Sequence, residues 1–87
     1  MMRETSIVTN LLREVEAMAA DQDAERVVAV TVRLGARAGI TPARLRERFI
    51  EAARDSLAED ATLEIIAESN PSAPTAEHIR LEGIEAA

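Results

Sequence analysis

The run Val27-Val28-Ala29-Val30-Thr31-Val32-Arg33-Leu34-Gly35 restricts the fold more than any other stretch of this chain. Side chains alternate across a strand with a period of two, so Val28, Val30, Val32 and Leu34 share one face while Val27, Ala29, Thr31 and Arg33 share the other. β-Branched valine suits a pleated surface better than a helix interior, which makes strand the preferred state even though Val27 and Ala29 blur the alternation. Gly35 ends it. A strand with one wholly aliphatic face has to be covered, and the run is expected to be the central strand, with the helices before and after it packed on Val28, Val30, Val32 and Leu34.

Both flanking segments carry a helical period. From about Glu4 to Ala20, Ile7, Val8, Leu11, Leu12, Val15, Met18 and Ala19 recur at the three-and-four spacing of one helix face, with Thr5 or Ser6 as the expected cap. Asp21-Gln22-Asp23 breaks that pattern ahead of the strand. Thr41-Pro42 then reads as an N-cap followed by proline at the first helical position, where the missing N–H costs nothing. The second helix presents Leu45, Phe49, Ala52, Ala53 and Leu57 to the core and is expected to end near Ala58; Phe49, the only aromatic residue, fills its middle.

Thr62 to Glu68 alternates as a second strand, with Leu63, Ile65 and Ala67 inward and Ile66 outward. Ser69-Asn70-Pro71-Ser72-Ala73-Pro74-Thr75 is a loop by its two prolines and small polar residues. Ile79 to Glu85 reads as a third strand whose phase slips between Leu81 and Ile84, which predicts a bulge near Gly83. The order is α-β-α-β-β: an α+β, two-layer fold with two helices packed on one face of a three-stranded sheet and the second and third strands joined as a hairpin. The other sheet face carries Val27, Ala29, Ile66 and Ile84, an apolar patch that sheet stacking or edge pairing in a homodimer would cover.

Composition removes several classes of function. The 87 residues are expected to form a single domain, 1–87, with a small core. A net charge of -6 and a single aromatic residue argue against nucleic acid as a partner, since phosphate is repelled and bases find no stacking platform. Without cysteine there is no disulfide, thiolate nucleophile or Cys-ligated zinc. No apolar run approaches the ~20 residues of a membrane helix, so no membrane contact is expected and a cytoplasmic location is the default. With one histidine and no phosphate-cradling glycine loop, no catalytic set can be assembled: the chain is expected not to be an enzyme and to hold no cofactor.

Several words of the sequence, in order, carry a resemblance. They are Met2-Arg3-Glu4, Ser6-Ile7 and Leu11-Leu12; Arg26-Val27 through Val30, Val32 and Leu34-Gly35; Gly39, Pro42 and Leu45; Ser56-Leu57-Ala58-Glu59 with Ala61 and Leu63-Glu64-Ile65; and Ile79-Arg80-Leu81 with Ile84-Glu85. In this order the chain resembles the nickel-binding domain of the HypA family, metallochaperones that help insert nickel into nickel-iron hydrogenases and sometimes supply urease. The resemblance implies contact of the amino-terminal end with the family's maturation GTPase and the hydrogenase large subunit. It also implies two metal sites that this sequence cannot build. The family's nickel-ligand histidine, next to the initiator Met, is replaced by Arg3, and neither Met1 nor Met2 as the start brings a histidine to the second or third position. The zinc domain, two Cys-x-x-Cys pairs between the last two strands, is replaced by the Ser69–Thr75 loop.

Two groups of residues follow as candidate partner contacts. Arg3 and Glu4 lie at the end that the resemblance assigns to docking, although a frayed, solvated terminus explains them equally well. From Arg33 to Arg54 six arginines (33, 37, 44, 46, 48, 54) face two acids (47, 51), and Arg44 and Arg48 stand at i,i+4, where like charges repel unless something acidic is bound. A plain solvated helix face accounts for them too. His78, with Glu77 beside it, reads as a surface histidine more readily than as a metal ligand. The leading expectation is a HypA-like accessory protein that acts through protein contacts without its own metal site. The alternatives are a nickel carrier with a site relocated to His78, Glu77 and the amino terminus, or a small structural subunit of the target complex.

Overall fold

A computed structural model describes residues 3–87, with Arg3 as a backbone position only. Five elements follow in the expected order: α1 (Arg3–Asp21), β1 (Val27–Leu34), α2 (Pro42–Ala52), β2 (Thr62–Ala67) and β3 (Ile79–Ala86). The fold is α+β, with α1 against α2 and β3, and α2 leaning on β2. Val8, Leu11, Val15 and Ala19 of α1 and Leu45 and Phe49 of α2 bury against Val30, Val32, Leu34 and Leu63 of the sheet. Phe49 is 1% exposed, the largest side chain of this core.

The valine strand is central, in the order β2-β1-β3. β2 runs parallel to it and β3 antiparallel, so β2 and β3 are not neighbours and the expected hairpin between them does not form. The physical reason is α2. Parallel neighbours require a crossover, and the helix between β1 and β2 supplies one. β2 thereby takes one edge of β1 and leaves β3 the other, with residues 68–78 passing across the end of β1. Glu68 N–H donates to the Leu34 carbonyl (2.8 Å), Gly35 N–H to that of His78 (2.9 Å) and Arg37 N–H to that of Ala76 (2.7 Å). A Cβ at position 35 would overlap the Ala76 carbonyl oxygen and lie 2.6 Å from that of Thr75, so this crossing requires the glycine.

Two bulges set which side chains face the helices. On β3, Gly83 opposes Thr31 while Leu81 already opposes Val32, leaving Glu82 as the extra residue beside the glycine, where the phase slip predicted it. No side chain would be hindered at Gly83, so its lack of a Cβ is not what the bulge needs. On β1 the register shifts between Val27 and Ala29. This second bulge corrects the alternation expected for β1: Val27 is buried at 1% exposure and Val28 turns out at 40%. The open-face patch falls with it. Val27 lies in the core, Ile84 packs on the helix side opposite Val30, and only Ala29 and Ile66 remain, separated by Thr31, Arg33 and Glu64.

The remaining departures are local. α1 already includes Arg3, the first described residue, so Thr5 and Ser6 are helical residues and not the cap. Thr41 is the N-cap of α2 as expected, its Oγ1 accepting from Arg44 N–H at 3.2 Å. α2 stops at Ala52, not near Ala58, although the apolar spacing runs on to Leu57. Asp55 (φ 63°) and Asp60 (φ 68°) adopt left-handed backbone, and Ser56 Oγ donates to the Ala53 carbonyl and accepts from Ala58 N–H, closing compact turns in place of helix. Ala53 and Ala58 are still buried by those turns; Ala52 and, at the end of β2, Ala67 are exposed.

Candidate functional site

Arg44 lies in the first turn of α2, which has no acidic residue of its own. A cation there opposes the helix macrodipole and calls for a counter-charge. Glu4, in the first turn of α1, supplies it. Its Oε1 accepts from Arg44 Nε at 3.0 Å and from Arg48 Nε at 3.5 Å, and Arg48 Nη1 donates to Glu51 Oε1 at 3.1 Å. Three of the four expected partner-binding residues thus form one cluster where the first turn of α1 meets the side of α2. The side chain of Arg3 lies outside the described residues.

The cluster is half-exposed, with side-chain exposures of 49% for Arg44, 35% for Arg48 and 33% for Glu4. Hydrogen bonding from Arg44 has the largest effect on the Glu4 carboxyl and outweighs the next, desolvation; with the charge of Arg44 and the bond from Arg48 it holds the group below the usual glutamate range. Arg48 is held charged more firmly still, first by its bond to Glu51 and then by that to Glu4. Exposed ion pairs contribute little to stability. Their effect here is to fix the first turn of α1 against α2 and to hold two guanidinium groups in one place.

Three of the other four arginines of the basic run are also engaged inside the chain. Arg33 lies between Glu68 (3.6 Å) and Glu82 (3.5 Å), Arg37 pairs with Glu77 (3.3 Å), and Arg46 Nη2 donates to the Leu63 carbonyl at 3.0 Å. Both sequence readings of the run, an acidic partner or plain solvation, omitted these internal partners. A contact such as Glu4 to Arg44, with |i−j|=40, leaves no local trace; the one available signal was an arginine at the start of a helix with no acid beside it.

His78 is exposed and, with Glu77, lines a cleft of about 290 Å³ whose other wall is Ile7, Asn10, Leu11 and Glu14 of α1. Among the described residues no three His, Cys, Asp or Glu side chains come together as a metal-binding group.

Residues 2–73 match the family model described as "HypA: Hydrogenase/urease nickel incorporation, metallochaperone, hypA". The chain belongs to the HypA family. It is a HypA-like accessory protein of hydrogenase or urease maturation, a family of metallochaperones and not of enzymes that works with hydrogenase maturation partners. The fold agrees. The solution structure of the Ni metallochaperone HypA from Helicobacter pylori superposes with a TM-score of 0.81 at 21% identity, covering 95% of this chain and 96% of that one. A second solution structure, of a HypA protein, gives 0.75 at 20% identity over 100% of this chain and 98% of the other, β3 included. No curated protein sequence matches the chain. Among the described residues no helix is long and apolar enough to cross a membrane.

Proposed function

We propose that this HypA-family chain acts in maturation by protein contact, as a single cytoplasmic domain over residues 1–87 without a zinc insertion, and that it does not itself carry the nickel. The supporting observation is the donor set at the amino-terminal end. Where the resemblance places the family's nickel-ligand histidine the chain has Arg3, whose guanidinium offers no lone pair to a metal, and the neighbouring carboxylate of Glu4 is bound to Arg44 and Arg48. Nickel is here the cargo of the pathway, and the contact surface is Arg3, Glu4, Arg44 and Arg48. The partner is the hydrogenase large subunit or the maturation GTPase; a homodimer of the chain is a separate contact, through its sheet.

Calorimetric titration of the full chain with nickel tests the first half, and binding at micromolar affinity or tighter would overturn it in favour of a relocated site. Pull-down from the native cell, read by mass spectrometry, tests the second. The expected result is the maturation GTPase or the unprocessed large subunit, lost on Arg44→Ala/Arg48→Ala with the melting curve nearly retained, since exposed ion pairs contribute little to stability. Recovery of the chain only inside the mature enzyme would make it a structural subunit instead.

A further inference from the structure

With β1 paired on both sides, the sheet's free backbone lies along the outer edges of β2 and β3. The two edges are guarded differently. On β2 the guanidinium of Arg46 sits on the Leu63 carbonyl, a charged cover of the kind that keeps an edge from accepting another strand. β3 spans eight residues, Ile79–Ala86, without proline or lysine. Among the described residues no side chain hydrogen-bonds to its backbone.

The faces of β3 follow from its partners on β1. Ile79, Leu81 and Ile84 oppose the buried Leu34, Val32 and Val30, which places them on the helix side; Arg80, Gly83 and Glu85 oppose Arg33, Thr31 and Ala29 on the open side. Because Glu82 is extra, this pattern reads the same from either end of the strand. If β3 is laid antiparallel on a copy of itself, Leu81 meets Ile84 on the helix side, Arg80 meets Glu85 on the open side, and the two bulges meet at the centre. Without the bulge, Leu81 and Ile84 would fall on opposite faces, and the same pairing would set apolar against charged side chains.

We propose that the outer edge of β3 pairs antiparallel with β3 of a second copy of this chain, about a two-fold axis between Glu82 and Gly83, joining two three-stranded sheets into one. The pairing deepens the homodimer of the preceding reading and is independent of whether the chain carries nickel. Opposite charges directly across strands attract, and the axis repeats the Arg80–Glu85 pair at both ends. Glu82 flanks the axis, held at 3.5 Å by Arg33 of its own chain. Sliding the strands so that Glu82 faces Glu85 sets like charges together, which selects against that register. A strand-edge interface is small beside the roughly 1,200–2,000 Å² of stable complexes, so the dimer is reversible and concentration-dependent.

Sedimentation of the full chain over a concentration series tests this. The wild type is expected to pass from monomer to dimer. Arg80→Glu places acid against acid across the interface and weakens the dimer by about tenfold or more. In its own chain the new carboxylate faces Arg33, so the melting temperature holds. Arg80→Glu/Glu85→Arg reverses both ends of each pair and restores the dimer. A monomer at every concentration overturns the homodimer altogether. A dimer that Arg80→Glu leaves intact, or that the double variant fails to rescue, overturns the β3 register and leaves the dimer to another surface.

Discussion

Replacing Phe49 by alanine probes the whole arrangement, because this side chain stands between α2 and the sheet at 1% exposure with no other aromatic residue to share its volume. Burial of that depth makes Phe→Ala cost about 3–5 kcal/mol, the spread reflecting how far the surroundings collapse into the space left. Here they can collapse on one side. The turns from Ala53 to Ala61 that close over Phe49 border an open cleft of about 310 Å³ with it, so they are free to settle inward, and the expected loss lies at the low end, about 3 kcal/mol. An 87-residue domain has about 4–13 kcal/mol in total, at ~0.05–0.15 kcal/mol per residue, so the variant still folds at room temperature, with about 1–10 kcal/mol left. At about 4–8 °C per kcal/mol for a domain of this size, its melting temperature falls by about 12–24 °C. Thermal and urea unfolding followed by far-ultraviolet circular dichroism measure both quantities, with Phe49→Leu as a control expected to lose less than about 1.5 kcal/mol. A shift below about 4 °C for the alanine variant, with an unchanged urea slope, would refute the placement of the ring in the core.

Three further outcomes are expected. Gly35→Ala drives a methyl group into the carbonyls of Thr75 and Ala76, so it lowers the melting temperature and speeds amide exchange at Arg37 and Gly35, whose N–H groups bond to the same segment; exchange unchanged there would mean that the crossing does not touch position 35. Val27→Thr is destabilising by urea unfolding and Val28→Thr nearly neutral, the reverse of what strict alternation from Val30 implies, so equal effects would argue against the bulge on β1. Glu4 titrates below the ordinary glutamate range by carboxyl NMR. With its folded pKa depressed, its contribution is fully present above the unfolded value and disappears as pH falls through the folded one; Arg44→Ala moves the midpoint back up, and a midpoint indifferent to Arg44 would remove the ion pair.

Much of this fold is legible in the sequence because its elements are periodic. The two helices, the central strand, the Thr41-Pro42 start and the slip near Gly83 each follow from spacing or from a turn residue with a mechanism. What is lost is nonlocal. The side of β1 taken by β2 depends on the crossover through α2, which Pro42–Ala52 between two strands does encode, and the expected hairpin ignored that signal in favour of sequence proximity. The end of α2 and the bulge at Val28 depend on tertiary packing that overrides apolar spacing. For the site, the charges of Glu4, Arg44 and Arg48 could be read, but not that they answer one another.

The crossing at the end of β1 has a consequence for how a HypA-type chain tolerates change in length. Backbone bonds at Glu68, Ala76 and His78 clamp both roots of the segment, while Asn70 to Ser72 and Pro74 project into solvent. Extra polypeptide spliced between those roots would hang from a rigid bracket and leave the strand order untouched. The bracket turns an architectural necessity, carrying the chain from one flank of the sheet to the other, into a port at which whole modules can be gained or shed.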